Sequence, residues 1–120
     1  MKGQIVGKHI YGSFYDLQEQ KAYYDSRFME EVVREAVKIA NATLIELKSW
    51  KIEGEKGGIS VIALVEESHI AIHTWKEYNY ATYDIYTCGY HTDPWKALEF
   101  IREKLKPKRW TVNYSDRSKL

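Results

Sequence analysis

The stretch ISVIALVEESHIAIHTWKEYNYATYDIYT, residues 59–87, contains three strand-like segments in direct succession. Residues 59–66, 68–77 and 80–87 are each dense in isoleucine, valine, threonine and aromatic side chains, which are the types enriched in β-strands. Short polar interruptions separate the segments, as expected of hairpin turns. The stretch therefore predicts the centre of an antiparallel sheet.

Further strand signals lie on both sides of this centre. Residues 5–15 and 43–52 have strand composition, and a last strand is predicted over residues 110–114. The glycines and charged residues of 53–58 indicate a turn, so that residues 43–52 form a hairpin with the segment that follows. The sheet is thus expected to use most of the chain.

Two segments repeat apolar residues at the spacing of an amphipathic helix. The first runs over residues 25–40, with Asp25 or Ser26 as its expected cap. The second opens at Thr92-Asp93-Pro94, because aspartate caps helices and proline is tolerated in the first turn, and it ends before Pro107. Many strands with one helix near each end predict an α+β fold, a two-layer sandwich with both helices on one face of a mainly antiparallel sheet.

Composition limits the class of protein. The 120 residues suit a single domain, 1–120, and 18 basic against 17 acidic side chains leave no overall charge to attract nucleic acid or an anionic membrane. No apolar run has the length of a signal peptide or a membrane span. The single cysteine, Cys88, excludes an internal disulfide, and no residues near it show metal-ligand spacing. We therefore expect a cytoplasmic protein without a metal.

Residues with reactive side chains are concentrated in the segment 66–89. If its two strands pair around a turn at Tyr78-Asn79, the numbers of paired residues sum to about 157, which places Cys88 across from Ser68 and His69. Strict alternation would put His73 on the other face from Ser68, so a bend or bulge is needed for them to meet. Taken singly, each of these residues also has an ordinary structural explanation.

Two motifs in this segment resemble those of the prokaryotic S-adenosylmethionine decarboxylase family. They are Glu-Ser-His-Ile-x-Ile-His-Thr-Trp-x-Glu, residues 67–77, and Tyr-Ala-Thr-Tyr-Asp-Ile-Tyr-Thr-Cys-Gly, residues 80–89. The likeness extends more loosely over nearly the whole chain. In this family Glu-Ser-His is a self-cleavage site, which implies a cut between Glu67 and Ser68 into fragments 1–67 and 68–120 that remain associated.

The resemblance also implies a cofactor that the protein makes from itself. The Ser68 hydroxyl would attack the Glu67 carbonyl, and elimination followed by hydrolysis would leave a pyruvoyl group at position 68. That group would form a Schiff base with the substrate amine and accept the electrons released on decarboxylation. No metal or imported organic cofactor is then required.

Roles for four further residues follow from the same family match. His73 would transfer protons during self-processing, and Ser60 would stabilise the cyclic intermediate. Cys88 would donate the proton to the substrate carbon after decarboxylation. Glu77 would accept hydrogen bonds from the sugar hydroxyls of a nucleoside substrate.

The substrate expected from the family is S-adenosylmethionine, in the biosynthesis of polyamines. The chain departs from the family pattern at Val61, where glycine is usual, at Lys76, where proline is usual, and in the segment before Ser60. These changes lie around substrate recognition, so arginine, the substrate of an archaeal offshoot that makes agmatine, is the alternative. Glu53 or Glu55 in the altered segment could bind a guanidinium group.

Three other interpretations stay open at this level. The family likeness implies a homodimer, or a larger oligomer, that shares each active site between subunits. A paralogue that does not self-cleave and acts as a regulatory partner would carry the same motifs. The basic, aromatic-rich residues 104–114 could bind single-stranded nucleic acid, although such a run is more often a solvated helix end.

Overall fold

The computed structural model describes residues 4–120. In chain order its elements are β1 Gly7–Leu17, α1 Lys21–Tyr24, α2 Ser26–Ile39, β2 Leu44–Ile52, β3 Gly58–Val65, β4 Ser68–Trp75, β5 Tyr80–Cys88, α3 Pro94–Leu105, β6 Pro107–Trp110 and β7 Asn113–Asp116. The strands form one seven-stranded antiparallel sheet in the order β2-β3-β4-β5-β1-β6, and β7 also pairs with β1. The predicted sheet and its central strands are confirmed.

Both long helices lie on one face of the sheet. Alternate residues of the strands are buried beneath them, as Ile70, Ile72 and Ile85 are, and these form one core with the apolar side of α2. Asp25 caps α2 by accepting a hydrogen bond from the backbone N–H of Phe28 at 2.9 Å. The α+β two-layer prediction is therefore confirmed.

The second long helix begins where its sequence signal placed it. The Asp93 carboxylate accepts hydrogen bonds from the backbone N–H groups of Trp95 at 3.0 Å and Lys96 at 3.3 Å, and Pro94 occupies the first turn. The helix ends at Leu105, two residues before Pro107. Cap chemistry and proline placement therefore decide both ends of α3.

The prediction of a single last strand over residues 110–114 is wrong. Two short strands, β6 and β7, replace it, because the chain leaves regular pairing at Thr111, whose carbonyl oxygen approaches the backbone of Gly12. A side chain at Gly12 would place its Cβ 2.1 Å from that oxygen, so glycine permits the approach. The short helix α1 was also not predicted, because four residues are too few to show periodicity.

None of the helices within residues 4–120 is both long enough and apolar enough to cross a membrane. The longest, α2, has 14 residues and is apolar on one side only.

Candidate active site

The sheet face away from the helices carries most of the predicted site residues. We call it the open face, because no element of the described chain covers it as α2 and α3 cover the core. Its side chains alternate with the buried ones along each strand. Its members include His9, Tyr11, Ser13, Tyr15, Ser60, His69, His73, Trp75, Tyr80, Asp84, Tyr86 and Cys88.

The expected cleavage bond lies in the turn between β3 and β4. Val65 pairs with Ser68, so Glu66 and Glu67 form a two-residue hairpin loop. Such loops usually need positive φ at one or both loop residues, yet among the described residues the positive φ of this turn occurs only at Ser68, at 148°. This region of backbone space is essentially restricted to glycine and costs another residue about 1–3 kcal/mol. The Glu67–Ser68 bond therefore carries local strain.

A stability measurement tests this strain directly. In an uncleavable precursor, we expect Ser68→Gly to be more stable than Ser68→Ala by about 1 kcal/mol, since relief of about 1–3 kcal/mol of strain exceeds the roughly 0.5–1 kcal/mol entropic cost of glycine. Urea denaturation of the two variants gives the difference. Adding Ser13→Gly or Ser13→Ala to the Ser68→Ala chain is the control, and there glycine should be the less stable, because Ser13 lies in a strand with ordinary dihedral angles. Equal stability at position 68 would contradict the strain.

Ser68 lies beside Cys88, as predicted. The Ser68 Oγ and Cys88 Sγ atoms are 3.7 Å apart. The pairing that produces this contact differs from the prediction, since β4 and β5 pair with His69 opposite Tyr86, a sum of 155. The turn is two residues longer than expected, both on the β4 side, because residues 76–78 form a 3₁₀ turn and Asn79 takes the left-handed conformation before β5 begins at Tyr80. The shift is an even number of residues and so keeps Cys88 on the same face.

Tyr86 is a third member of this contact that was not predicted. Its pKa is raised, first by its interaction with the Cys88 side chain and then by burial, while Arg117 and Ser68 oppose the shift. The Arg117 guanidinium lies 5.0 Å from the centre of the Tyr86 ring. The sequence signal was available, because Tyr86 precedes Cys88 by two residues in a strand and so shares its face.

Ser60 and His73 meet each other but not Ser68. They face each other across β3 and β4, and Ser60 Oγ is hydrogen-bonded to His73 Nδ1 at 2.8 Å. His73 lies five residues along β4 from Ser68, which is roughly 17 Å of strand. His73 is on the open face with Cys88, and the unusual dihedral of Ser68 brings its side chain to that face too, so the expected irregularity is present. The two pairs remain separated along the strand.

The predicted substrate-binding glutamates lie at the other end of the sheet from Ser68. Glu77 is exposed in the 3₁₀ turn that follows β4. The β2–β3 turn, residues 53–57, is adjacent, because Lys76 N donates to the carbonyl oxygen of Gly57 at 2.9 Å. Glu53 and Glu55 in that turn are exposed as well. Within one chain, none of these carboxylates is near Cys88.

A network of two histidines around one carboxylate was also not predicted. His9 Nε2 and His69 Nε2 lie 2.8 and 2.9 Å from the same Asp84 oxygen, Oδ1. Arg117 Nη1 lies 3.3 Å from His9 Nδ1. Because Asp84 accepts both contacts, the network links β1, β4 and β5 next to Tyr86. Only the pairing of three strands brings these residues together, so no local sequence pattern reveals it.

The side chain of Glu67 is held on the edge of the site. Burial would raise its pKa, but hydrogen bonds from His91 and from the backbone amide of Thr43 outweigh this and lower it, which keeps the carboxylate ionised. A cleft of about 330 Å³ opens beside the turn and is lined by Glu67, Cys88 and residues 4–6 among others. Across residues 4–120 no group of three His, Cys, Asp or Glu side chains is arranged to hold a metal ion.

Known proteins share both the fold and the motifs. Residues 8–118 match the model of the S-adenosylmethionine decarboxylase family. The chain belongs to this family. It resembles the adenosylmethionine decarboxylase of Aquifex aeolicus at a TM-score of 0.83 and 33% identity, over 93% of this chain and 90% of that one. The likeness stated from the two motifs is thereby confirmed.

Curated relatives in this family are more similar in sequence. The arginine decarboxylase proenzyme of Aeropyrum pernix is 58% identical over 95% of this chain and 86% of its own length. Those of Hyperthermus butylicus and Ignicoccus hospitalis are 53% and 52% identical, over 97% and 98% of this chain and 81% of each relative. The chain is therefore an enzyme, a decarboxylase of this family.

Proposed function

We propose that this chain is a self-processing, pyruvoyl-dependent arginine decarboxylase that acts in the cytoplasm. The observation that supports arginine as the substrate is the sequence identity of 52–58% to three arginine decarboxylase proenzymes over nearly the whole chain, against 33% to an adenosylmethionine decarboxylase. S-adenosylmethionine, expected first because it is the common substrate of the family, is thus the less supported substrate, and arginine is preferred. The departures at Val61 and Lys76 agree with a changed substrate pocket.

Self-processing begins with the strained turn. Ser68 Oγ bonds to the carbonyl carbon of Glu67, the C–N bond breaks, and the hydroxyl proton passes to the nitrogen, so that an ester replaces the amide. Removal of the Ser68 Cα proton then breaks the Cβ–Oγ bond and releases fragment 1–67 with a carboxylate at Glu67. Water replaces the nitrogen at position 68, and ammonia leaves. Loss of the strained φ of Ser68 favours the first step.

The residues present fit a ketone at position 68. Cys88 Sγ is 3.7 Å from Ser68 Oγ, and Tyr86 is near enough for both side chains to influence its pKa. A pyruvoyl group at position 68 would supply a ketone for covalent attachment of the substrate amine and an acceptor for the electrons left by departing carbon dioxide. Cys88 then gives its proton to the substrate carbon. The Tyr86 hydroxyl is protonated near neutral pH, and the Cys88 side chain and burial raise its pKa further, so it would be available as a hydrogen-bond donor beside the sulfur.

We propose a homodimer because one chain separates the two pairs of reactive residues. Ser60 and His73 lie roughly 17 Å along the strand from Ser68 and Cys88. Two open faces related by a two-fold axis would bring each Ser60–His73 pair to the Ser68 of the other subunit. The aromatic side chains of the open face suit such an interface, and Tyr11 and Trp75 are 39% and 37% exposed in the single chain.

The same dimer gives the glutamates a role in recognition. Glu53, Glu55 and Glu77 lie at the Ser60–His73 end of the sheet, so the dimer would carry them toward the partner's substrate site. A guanidinium group donates up to five hydrogen bonds in a planar fork and pairs best with carboxylates. Exposed glutamates on two adjacent turns therefore suit arginine.

An assay of labelled carbon dioxide released from carboxyl-labelled arginine or carboxyl-labelled S-adenosylmethionine identifies the substrate. We expect kcat/KM for arginine to exceed that for S-adenosylmethionine by about 10³-fold or more, because carboxylates that the proposed dimer buries against the substrate would lose their hydrogen-bond partners with a substrate that lacks the guanidinium donors. The uncleavable Ser68→Ala chain is the control and should release none from either. A preference for S-adenosylmethionine would reverse the substrate assignment while leaving the decarboxylase intact.

A further inference from the structure

The side chain of Glu67 is bound by two loops that are distant in sequence from it. Glu67 Oε1 accepts a hydrogen bond from the backbone N–H of Thr43 at 3.1 Å, in the loop between α2 and β2. Glu67 Oε2 lies 2.8 Å from Nε2 of His91, in the loop between β5 and α3. The side chain is only 12% exposed although it lies in a hairpin turn. Both carboxylate oxygens are therefore engaged.

His91 is itself held in place by its own loop. A Cβ at Gly89 would lie 2.6 Å from the His91 ring, so glycine, at φ 99°, leaves the space that the imidazole fills. The side-chain amide of Asn41 donates to the His91 carbonyl oxygen at 2.9 Å. The loop is attached to the site because His91 follows Cys88 by three residues. The imidazole thus has a defined position from which to bind Glu67.

We propose that His91 is a positioning residue for self-cleavage, which acts by holding Glu67 so that its carbonyl carbon stays within reach of the Ser68 hydroxyl. This rests on the proposed cut between Glu67 and Ser68. A strained backbone persists only where its surroundings over-determine it, and the Glu67 carboxylate is the side-chain anchor of this turn. Without His91 the turn can relax, Ser68 can leave its unusual dihedral, and the attack geometry is lost.

The stability of the fold depends little on this pair. His91 is 53% exposed, and exposed ion pairs contribute little to folding. A loss of cleavage without a matching loss of stability therefore distinguishes positioning from a merely structural contact. Cleavage depends on a carbonyl placed to within a fraction of an ångström, whereas global stability does not.

Cleavage is followed in time after a pulse of cell-free synthesis, on denaturing gels. The decisive variants are His91→Gln, whose side-chain nitrogen takes the place of Nε2, and His91→Asn, which has the same chemistry but is too short to reach Glu67. We expect His91→Asn to cleave about tenfold or more slowly than wild type and His91→Gln to recover to within about threefold. Each substitution is also made in the Ser68→Ala chain, where the melting temperature reports folding independently of cleavage.

A second arm measures the coupling between the two side chains. Because His91 acts only through Glu67, the double variant Glu67→Ala/His91→Asn should cleave no more slowly than Glu67→Ala alone. Equal rates for His91→Gln and His91→Asn, or independent losses in the double variant, would overturn the role of His91. An intact wild-type chain would overturn both this inference and the proposed cut, whereas a wild type that cleaves at the same rate as His91→Asn would remove His91 only.

Discussion

The Ser68→Ala variant is expected to remain a single chain of 14.2 kDa on a denaturing gel, whereas the wild type separates into fragments 1–67 and 68–120. The Ser68 hydroxyl oxygen has to attack the Glu67 carbonyl and then leave Cβ with fragment 1–67 in the elimination, and no other group can do both. Removing it leaves no path to a pyruvoyl group. Decarboxylation should therefore fall to background together with the cut.

Mass spectrometry of the wild-type fragments makes this result specific. Fragment 68–120 should lack a free amino terminus, and fragment 1–67 should end in an ordinary carboxylate. Ser13→Ala is a matched control, because Ser13 is another open-face serine, hydrogen-bonded to Tyr80 at 2.9 Å, and its variant should cleave normally. Continued cleavage of Ser68→Ala would show that the bond is elsewhere. An intact wild type would instead support the alternative of a non-processing regulatory paralogue.

The Cys88→Ala variant is expected to cleave but to decarboxylate its substrate about 10²- to 10⁴-fold more slowly, the usual range for loss of a general acid. Cys88 is placed for this role because its Sγ lies 3.7 Å from Ser68 Oγ, on the same sheet face as Tyr86. The peptide chemistry of the cut involves Ser68 and Glu67, so processing should continue. The Cys88→Ala variant should therefore retain self-cleavage while losing most of its decarboxylase activity.

Single-turnover carbon dioxide release, measured per cleaved chain, checks this result. Cys88→Ser is the control for packing, because it keeps a proton donor of similar size but a much weaker acid, and we expect a rate between those of wild type and Cys88→Ala. Full activity of Cys88→Ala would assign the proton donor to another group, and Tyr86 would be the first candidate. Loss of cleavage in both variants would place Cys88 in processing instead.

Local chemistry made most of the fold predictable. Strand composition located β3, β4 and β5, and aspartate caps located the start of α2 and of α3, because these signals act between residues close in sequence. The contact of Ser68 with Cys88 followed from a hairpin register that was two residues in error. It survived because the even shift kept Cys88 on the open face and the positive φ of Ser68 turned the serine side chain to that face as well. Because side chains alternate with a period of two residues, the predicted face of a residue is unchanged by an error of two residues in turn length.

Some features of the site could not be predicted from local sequence patterns. The family match gave His73 and Ser60 as processing residues but gave no sign that they form their own hydrogen-bonded pair, far along the sheet from Ser68. The distance follows from the extended rise of a strand, and it is the reason why we propose a site shared between subunits. The contacts of Asp84 with His9 and His69 were also not predictable from a local pattern, because they depend on the pairing of three strands.

The order of residues alone was enough to identify the family and the α+β sandwich and to predict the cut at Glu67–Ser68, because each depends on motifs or periodicities within short segments. Tertiary structure was required to show that the backbone at this bond is strained and that the Glu67 side chain is anchored. The positive φ of Ser68 arises from a two-residue turn that must join β3 to β4, and the Glu67 carboxylate is held by Thr43 and His91, which are 24 residues away on either side. Strain and anchoring depend on contacts between distant segments, and only the folded chain contains them.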